Sequence, residues 1–272
     1  MNAAQFSLWT VEGWTKGARG QEDLEGSLRW DGLRIPQVVA DPLPAVHVPM
    51  GSRPPGGWEI QQSYEDQGAL MQGLMHGVEG IRTTAEGMDR ASIGALLADV
   101  HPEMVALHVD GVETVGALRA VVAWAKGEVV RGSSTWDVGR DHAFDAEALA
   151  LHAEAWHAAM PAFHVWGVDA AKWQDRGTLH VDALGAMLSA SKAGMNALVA
   201  AGWSLEDAAK HATLRLAFST DVLSSVAMAR AARVLWARLL STMGMADGAV
   251  VRLEGQTSTL GLHAEGGRDA LL

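Results

Sequence analysis

A TIM-type (β/α)8 barrel, incomplete at its eighth strand and preceded by an extended N-terminal arm, is the fold the sequence predicts. Three observations predict it. From Trp58 onward short β-patterned runs alternate with helical ones, which implies parallel strands joined by right-handed crossovers. No phosphate-binding G-x-G-x-x-G follows the first strand, which favours a closed barrel over a doubly wound sheet. Seven strand patterns are clear, whereas only residues 259–263, weakened by Gly261, remain to supply the eighth. A partner chain covering that gap stays open as a reading, because a bare parallel edge exposes unpaired backbone groups.

The arm is assigned to residues 1–57 and the barrel to residues 58–272. Phe6, Trp9, Val11 and Trp14 have the spacing of a short amphipathic helix. With Pro36 just ahead of it, the span Ala40 to Gly57, which holds Pro42, Pro44, Pro49, Pro54 and Pro55, is expected to be extended and to wrap the domain or a partner. The strand patterns fall at 58–64, 78–83, 104–109, 128–132, 163–168, 213–218 and 249–254. Between them, Ile93, Leu96, Leu97 and Val100, and again Val115, Leu118, Val121 and Val122, carry helical spacing. Asp145 is expected to cap the helix after 144, Asp182 the long alanine-rich helix, and Ser204 with Asp207 to form a capping box. Gly202 and Gly244 are placed to stop helices, and Gly111, Gly167 and Gly177 to follow strands as turn residues.

Composition removes several classes of function. The 272 residues include no cysteine, which excludes disulfides, iron–sulfur clusters, thiolate zinc sites and a thiol nucleophile, and makes a cytoplasmic setting the default. A formal charge of -11 without a basic run argues against nucleic acid, since a polyanion must be neutralised by clustered Lys and Arg. No apolar stretch approaches the roughly 18 residues of a membrane span, and acids close behind the N-terminus are unlike a signal peptide. The eleven histidines form neither H-x-x-x-H nor H-E-x-x-H, and His152 and His157 stand five apart, so no metal site is expected. Eleven tryptophans against one tyrosine have no explanation at this level.

The informative stretch runs from Arg176 to Trp236 and on to Ser258. It contains Ala229-Arg-Ala-Ala-Arg-Val-Leu-Trp-Ala237, Ala200-Ala-Gly-Trp-Ser-Leu-Glu-Asp207 and Gln256-Thr-Ser258. These blocks resemble the R-A-A-R-x-L-W-A helix, the A-G-x-S/T-x-D/E connection and the Q-T-S turn of the methylmalonyl-CoA mutase family, and more closely its small, non-catalytic subunit. Leu28-Arg-Trp to Ile35-Pro36 and Gly57-Trp-Glu-Ile-Gln-Gln62 are similar to that family's arm and first strand. Gly132-Ser-Ser-Thr-Trp-Asp-Val-Gly139 resembles a G-x-x-x-D-P-L-G loop of the small subunits. The resemblance implies a barrel threaded by an acyl-CoA, with adenosylcobalamin held against the C-terminal ends of the strands by a separate flavodoxin-like domain. No cofactor is assigned to this chain. The cobalamin signature D-x-H-x-x-G is met only by Asp99-Val-His101-Pro-Glu-Met104, with Met104 in place of the glycine, and reads more simply as a helix end before a strand.

Departures from the family pattern fall where its charged groups should be. The G-Y-H-x-Q-E-A-G-A motif, whose histidine bonds the thioester carbonyl, aligns with Ala170-Ala-Lys-Trp-Gln-Asp-Arg-Gly-Thr178, putting Lys172 in the histidine's place. The F-x-E-I-A-K-x-R motif becomes Leu223-Ser-Ser-Val-Ala-Met-Ala-Arg230, with Ser225 and Met228 replacing glutamate and lysine. The implied function is a non-catalytic small subunit held against a larger catalytic chain that carries the cobalamin. The alternative is a stand-alone acyl-CoA binder, or a degenerate barrel without mutase activity. For the binder, Lys172, Arg215, Thr257 and Ser258 are the candidate substrate residues, and no residue is assigned as catalytic. Arg215, Arg230 and Arg233 suit either CoA phosphates or pairing with acids at an interface. Thr257 and Ser258 suit either the site end of a barrel or a plain turn.

Overall fold

Apolar residues alternate along the strand patterns, and that alternation dictates the packing. Ile81, Leu107, Val109, Leu214 and Leu216 are buried, as are Ile93, Leu97, Val121, Leu149 and Trp236 on the helices that cover them. The computed structural model describes residues 28–30, 33–35, 58–84, 90–110, 115–137, 145–245 and 249–260. By its internal contacts the chain divides into two compact units, Met1–Val46 and His47–Leu272.

In the first unit, β1 (Leu28–Trp30) pairs antiparallel with β2 (Leu33–Ile35), in the register Leu28↔Ile35 and Trp30↔Leu33. Asp31-Gly32 between them is a dipeptide that favours two-residue hairpin loops. The expected helix at Phe6 to Trp14 and the proline-rich stretch lie outside the described residues.

The second unit holds β3 (Gln61–Ser63), β4 (Gly80–Thr84), β5 (Ala106–Asp110), β6 (Arg131–Asp137), β7 (Phe163–Asp169), β8 (Ala212–Phe218) and β9 (Arg252–Thr257), side by side in that order. Every neighbouring pair is parallel. The sheet curls. Arg82 on β4 and Glu254 on β9 are five strand spacings apart along it, about 24 Å if it were flat, yet their side chains meet at 2.6 Å. The fold is therefore the expected α/β barrel, open at one seam. Among the described residues no eighth strand fills it. Thr259 and Leu260 begin a helical turn instead, and 261–263 lie outside the description.

The connecting helices are α1 (Gln67–Met75), α2 (Arg90–Leu96), α3 (Val115–Ala125), α4 (Ala146–Ala159), α5 (Ala171–Gln174), α6 (His180–Ala200), α7 (Leu205–Lys210) and α8 (Val222–Thr242). Asp145 caps α4 through the Ala148 N–H at 2.9 Å, and Ser204 caps α7 through the Asp207 N–H at 3.0 Å. Gly202 and Gly244 end α6 and α8 with φ of 98° each, as expected of helix-stopping glycines.

Four local readings are corrected. Asp182 does not cap α6: the helix starts earlier, at His180, behind Leu179, and Asp182 sits in its first turn. Gly167 does not follow β7 but lies within it. The α3 stripe is shifted, because Ala117, Ala120, Val121 and Trp124 are buried while Val122 is exposed. The fourth barrel strand is not 128–132 but Arg131–Asp137, so most of the stretch read as a loop after it is strand. Gly132 explains that shift: a Cβ there would fall on the Leu107 carbonyl oxygen of β5, so the two backbones approach closely and only glycine fits.

The tryptophans acquire a role at the sheet–helix boundary. Trp166 on β7 donates its indole N–H to the Ala208 carbonyl on α7 at 2.7 Å, and Trp124 on α3 donates to Val100 at 2.8 Å. Trp156 on α4 stacks on Phe163, and Trp236 on α8 lies beside Trp166.

Candidate functional site

Polar residues occupy alternate positions in the barrel strands: Arg82 and Thr84 on β4, His108 and Asp110 on β5, Thr213 and Arg215 on β8, Arg252, Glu254 and Gln256 on β9. The residues between them pack on the helices, so this set faces the barrel axis. Charges enclosed in this way are tolerated only when paired, and here they pair across the barrel.

Glu254 lies at the junction of three guanidinium groups, accepting from Arg82 at 2.6 Å, Arg215 at 3.2 Å and Arg252 at 3.2 Å. Arg215 also donates to Asp110 at 2.8 Å and to Asp169 at 3.0 Å, and Arg82 donates to Asp110 at 2.7 Å. Lower in the barrel, His108 bridges Glu59 at 2.7 Å and the Ser133 hydroxyl at 2.9 Å, while Arg252 reaches Glu59 at 3.3 Å. With a carboxylate at Nε2, the His108 ring donates there and accepts from Ser133 at Nδ1.

Proton affinities follow from this arrangement. Burial alone would raise the Glu254 carboxyl, but Arg82 and Arg215 outweigh it and hold the group well below the usual carboxylate range. For Glu59 burial is again outweighed, by the His108 hydrogen bond and by Arg252, giving about 2. The Arg215 guanidinium, despite burial, is raised by Asp110, Asp169 and Glu254. Burial dominates at Asp169, which is raised, and at His108, which is lowered and so neutral near pH 7. His164, half-buried, is lowered to about 4 by desolvation and by the charge of Arg252.

At the C-terminal ends of the strands the sequence-predicted residues fall into two groups. Lys172 on α5 is half-exposed, with its ammonium 3.2 Å from Asp137 and 3.5 Å from Asp169. It therefore shares Asp169 with Arg215. Ser258 is buried and donates its hydroxyl to Asp175 at 3.0 Å, and Thr257 is exposed at the end of β9. Asp175 also accepts from the Thr259 N–H at 3.0 Å and from Gln256 at 3.4 Å, tying the Gln-Thr-Ser turn to the end of α5. Its neighbour Gln174 accepts from the Ala217 N–H at 2.9 Å and donates to the Met228 sulfur at 3.0 Å, fastening α5 to β8 and α8.

Other candidates are placed elsewhere. Arg230 and Arg233 are exposed on α8. Asp99 accepts from Gln67 at 2.8 Å, and His101 is an exposed residue ahead of β5, at the N-terminal end of the strands. Among the described residues no group of His, Asp or Glu side chains is arranged to hold a metal ion, and no helix is long and apolar enough to cross a membrane.

The family model described as methylmalonyl-CoA mutase matches residues 145–266, from the start of α4 past the end of β9. The chain resembles the methylmalonyl-CoA mutases. One curated relative, the "Methylmalonyl-CoA mutase small subunit" of Streptomyces virginiae, is 27% identical over 235 residues, covering 78% of this chain. The chain spans only 37% of that relative's length. Set against the methylmalonyl-CoA mutase pattern, Gln174 and Asp175, which match it or stay acidic, are the residues that suture the barrel rim. Met228, in the position of the motif's lysine, is buried against Gln174, and Ser225 donates to the Ser219 carbonyl at 3.3 Å.

Sequence reading named Arg215 but missed Arg82, Arg252, Glu254, Asp110, Asp169, Glu59 and His108. The signal was present: charges at alternate positions of strands that helices cover must point into the barrel, because parallel strands are ordinarily apolar on both faces.

Proposed function

We propose that this chain is the small, non-catalytic subunit of an adenosylcobalamin-dependent methylmalonyl-CoA mutase, acting in the cytoplasm beside a larger catalytic chain. The observation that carries the reading is the cluster centred on Glu254. Side chains from β4, β5, β7, β8 and β9 meet and pair on the axis along which an acyl-CoA would have to thread. Opening a passage would separate buried ion pairs, which is far costlier than moving neutral side chains.

Two further features support it. Lys172, in the position of the family's thioester-binding histidine, is engaged by two carboxylates, so its ammonium is not free to follow charge on a substrate carbonyl. The Asp99 and His101 pair does not fit a cobalamin ligand set, since His101 is exposed at the wrong end of the strands and Met104 stands where the signature needs glycine. In this reading the partner holds the cofactor and supplies the radical chemistry of interconverting methylmalonyl-CoA and succinyl-CoA. This chain contributes a shaped barrel.

Co-expression with the larger mutase chain from the same source tests the reading. A stable complex at equal stoichiometry, whose mutase activity survives substitution of Lys172 by alanine, is the expected result. A chain that stays apart from the larger one, or that rearranges methylmalonyl-CoA unaided, would overturn it.

A further inference from the structure

Helix α8 is built with two unlike faces. Met228, Ala232, Trp236 and Leu240 are buried at four-residue intervals and fix the helix to the barrel. On the other side Val222, Leu223 and Val226 are 67%, 82% and 49% exposed. At 100° per residue, Val222, Val226, Arg230 and Arg233 fall within an arc of about 80°, with Leu223 on its flank; the arc is open only as far as Arg233, because Ala237 within it and Leu240, in line with Val222, are buried. The outer face is therefore an apolar end followed by two arginines.

Its charge is also out of keeping with the rest of the chain. The whole protein carries a formal charge of -11, yet α8 contains Arg230, Arg233, Arg238 and no acidic residue. The barrel arginines Arg82, Arg215 and Arg252 are saturated by carboxylates. Arg230, Arg233 and Arg238, by contrast, make no ion pair among the described residues. Exposed apolar side chains bordered by unpaired arginines have the composition of an interface centre, in which arginine is enriched and lysine depleted.

We infer that the outer face of α8 is a docking surface for a different protein chain, one that presents an apolar patch edged by carboxylates. A second copy of this chain meeting it through the same helix is not complementary, because α8 has no carboxylate to answer its own arginines. The inference rests on the small-subunit reading in one respect: that reading names the docking chain as the larger mutase subunit.

The test uses the full chain, the larger mutase subunit from the same source, and the dissociation constant between them. Two variants probe the face, Leu223→Asp and the double variant Arg230→Glu with Arg233→Glu, and Arg119→Glu on exposed α3 is the control. Thermal melting matched to wild type establishes that each is folded. Each α8 variant is expected to bind at least about tenfold more weakly, and the control within about twofold. The charge-reversal penalty should shrink in about 0.5 M NaCl, where exposed charges are screened. Folded α8 variants that bind as wild type would sink the docking surface while leaving the small-subunit reading intact. A wild-type chain that never binds the larger subunit would sink that reading and, with it, the named partner. Self-association of the wild type, abolished by Leu223→Asp, would show that a second copy is the occupant and would overturn the inference.

Discussion

Replacing Arg215 by methionine keeps an unbranched apolar stem and deletes the guanidinium with its charge. The guanidinium is 11% exposed and pairs with Asp110, Asp169 and Glu254 at 2.8, 3.0 and 3.2 Å, the last two carboxylates being 6% exposed. Its removal leaves Asp169 with the more distant Lys172, and Glu254 with Arg82 and Arg252. Breaking a buried pair from one side costs about 3–5 kcal/mol, because the orphaned charge stays buried. In a domain of this size that lowers Tm by about 6–20 °C. The penalty also depends on pH with a definite sign. Asp169, already raised by burial, loses the charge that most opposes that rise, so it binds protons more readily folded than unfolded and the variant recovers stability relative to wild type as pH falls through its raised value. Adding Asp169→Asn should restore part of the loss by removing the buried charge left with Lys172 alone. The assay is urea unfolding of wild type, single and double variants, followed by the fluorescence of the buried Trp166 and Trp236 and by circular dichroism, at pH 7 and near pH 5. A loss below about 1 kcal/mol at pH 7, or a loss that does not shrink in acid, would refute the view that the barrel is held by this pairing.

Three other perturbations follow from the same structure. His164, lowered to about 4 by desolvation and by the charge of Arg252, takes up protons more readily unfolded than folded, so stability present above about pH 6.5 should decline as pH falls toward 4. That change is about 3 kcal/mol for this group alone, with a further decline toward pH 2 as Glu59 protonates. A pH series of denaturation midpoints that is flat between 6.5 and 4 would contradict it. Gly132→Ala should cost about 3 kcal/mol or more, because the added methyl meets the Leu107 carbonyl oxygen with no flexible side chain to yield; a thermal melt within a degree of wild type would be the contrary result. Asp175→Ala should loosen the Gln256-Thr-Ser turn, with a cost of about 1–2 kcal/mol and faster amide exchange at Thr259; unchanged exchange there would show that Asp175 does not anchor the turn.

How much of this was legible in the residues varies with the physics of each element. Six of the seven barrel strands were readable, most of them from alternating apolar residues, and the caps Asp145 and Ser204 because a side-chain oxygen ahead of a helix has one obvious use. The Arg131–Asp137 strand was misplaced because Gly132-Ser-Ser reads as a loop, whereas the glycine admits a close backbone and the serines bond His108 and His152. Asp182 was taken for a cap, although nothing local distinguishes the first turn of a helix from the residue before it. The β1–β2 pairing carried its own signal in Asp31-Gly32, which went unread because that stretch was taken only as part of the arm. Among site residues, Lys172 and Arg215 were singled out, but their sharing of Asp169 was not visible. Pairing between β4, β5, β7, β8 and β9 depends on how far the sheet curls, and curling is a property of the whole barrel.

The central claim is that this barrel is closed along its axis by its own charges, and ligand binding tests it most directly. Isothermal titration of the isolated chain with methylmalonyl-CoA, succinyl-CoA and free CoA, each to millimolar concentration, should give no heat beyond dilution. A barrel sealed by the Glu254 cluster predicts that result for all three. Saturable binding of an acyl-CoA, lost when Arg215 or Lys172 is replaced in a folded variant, would contradict it and make this chain a binder in its own right.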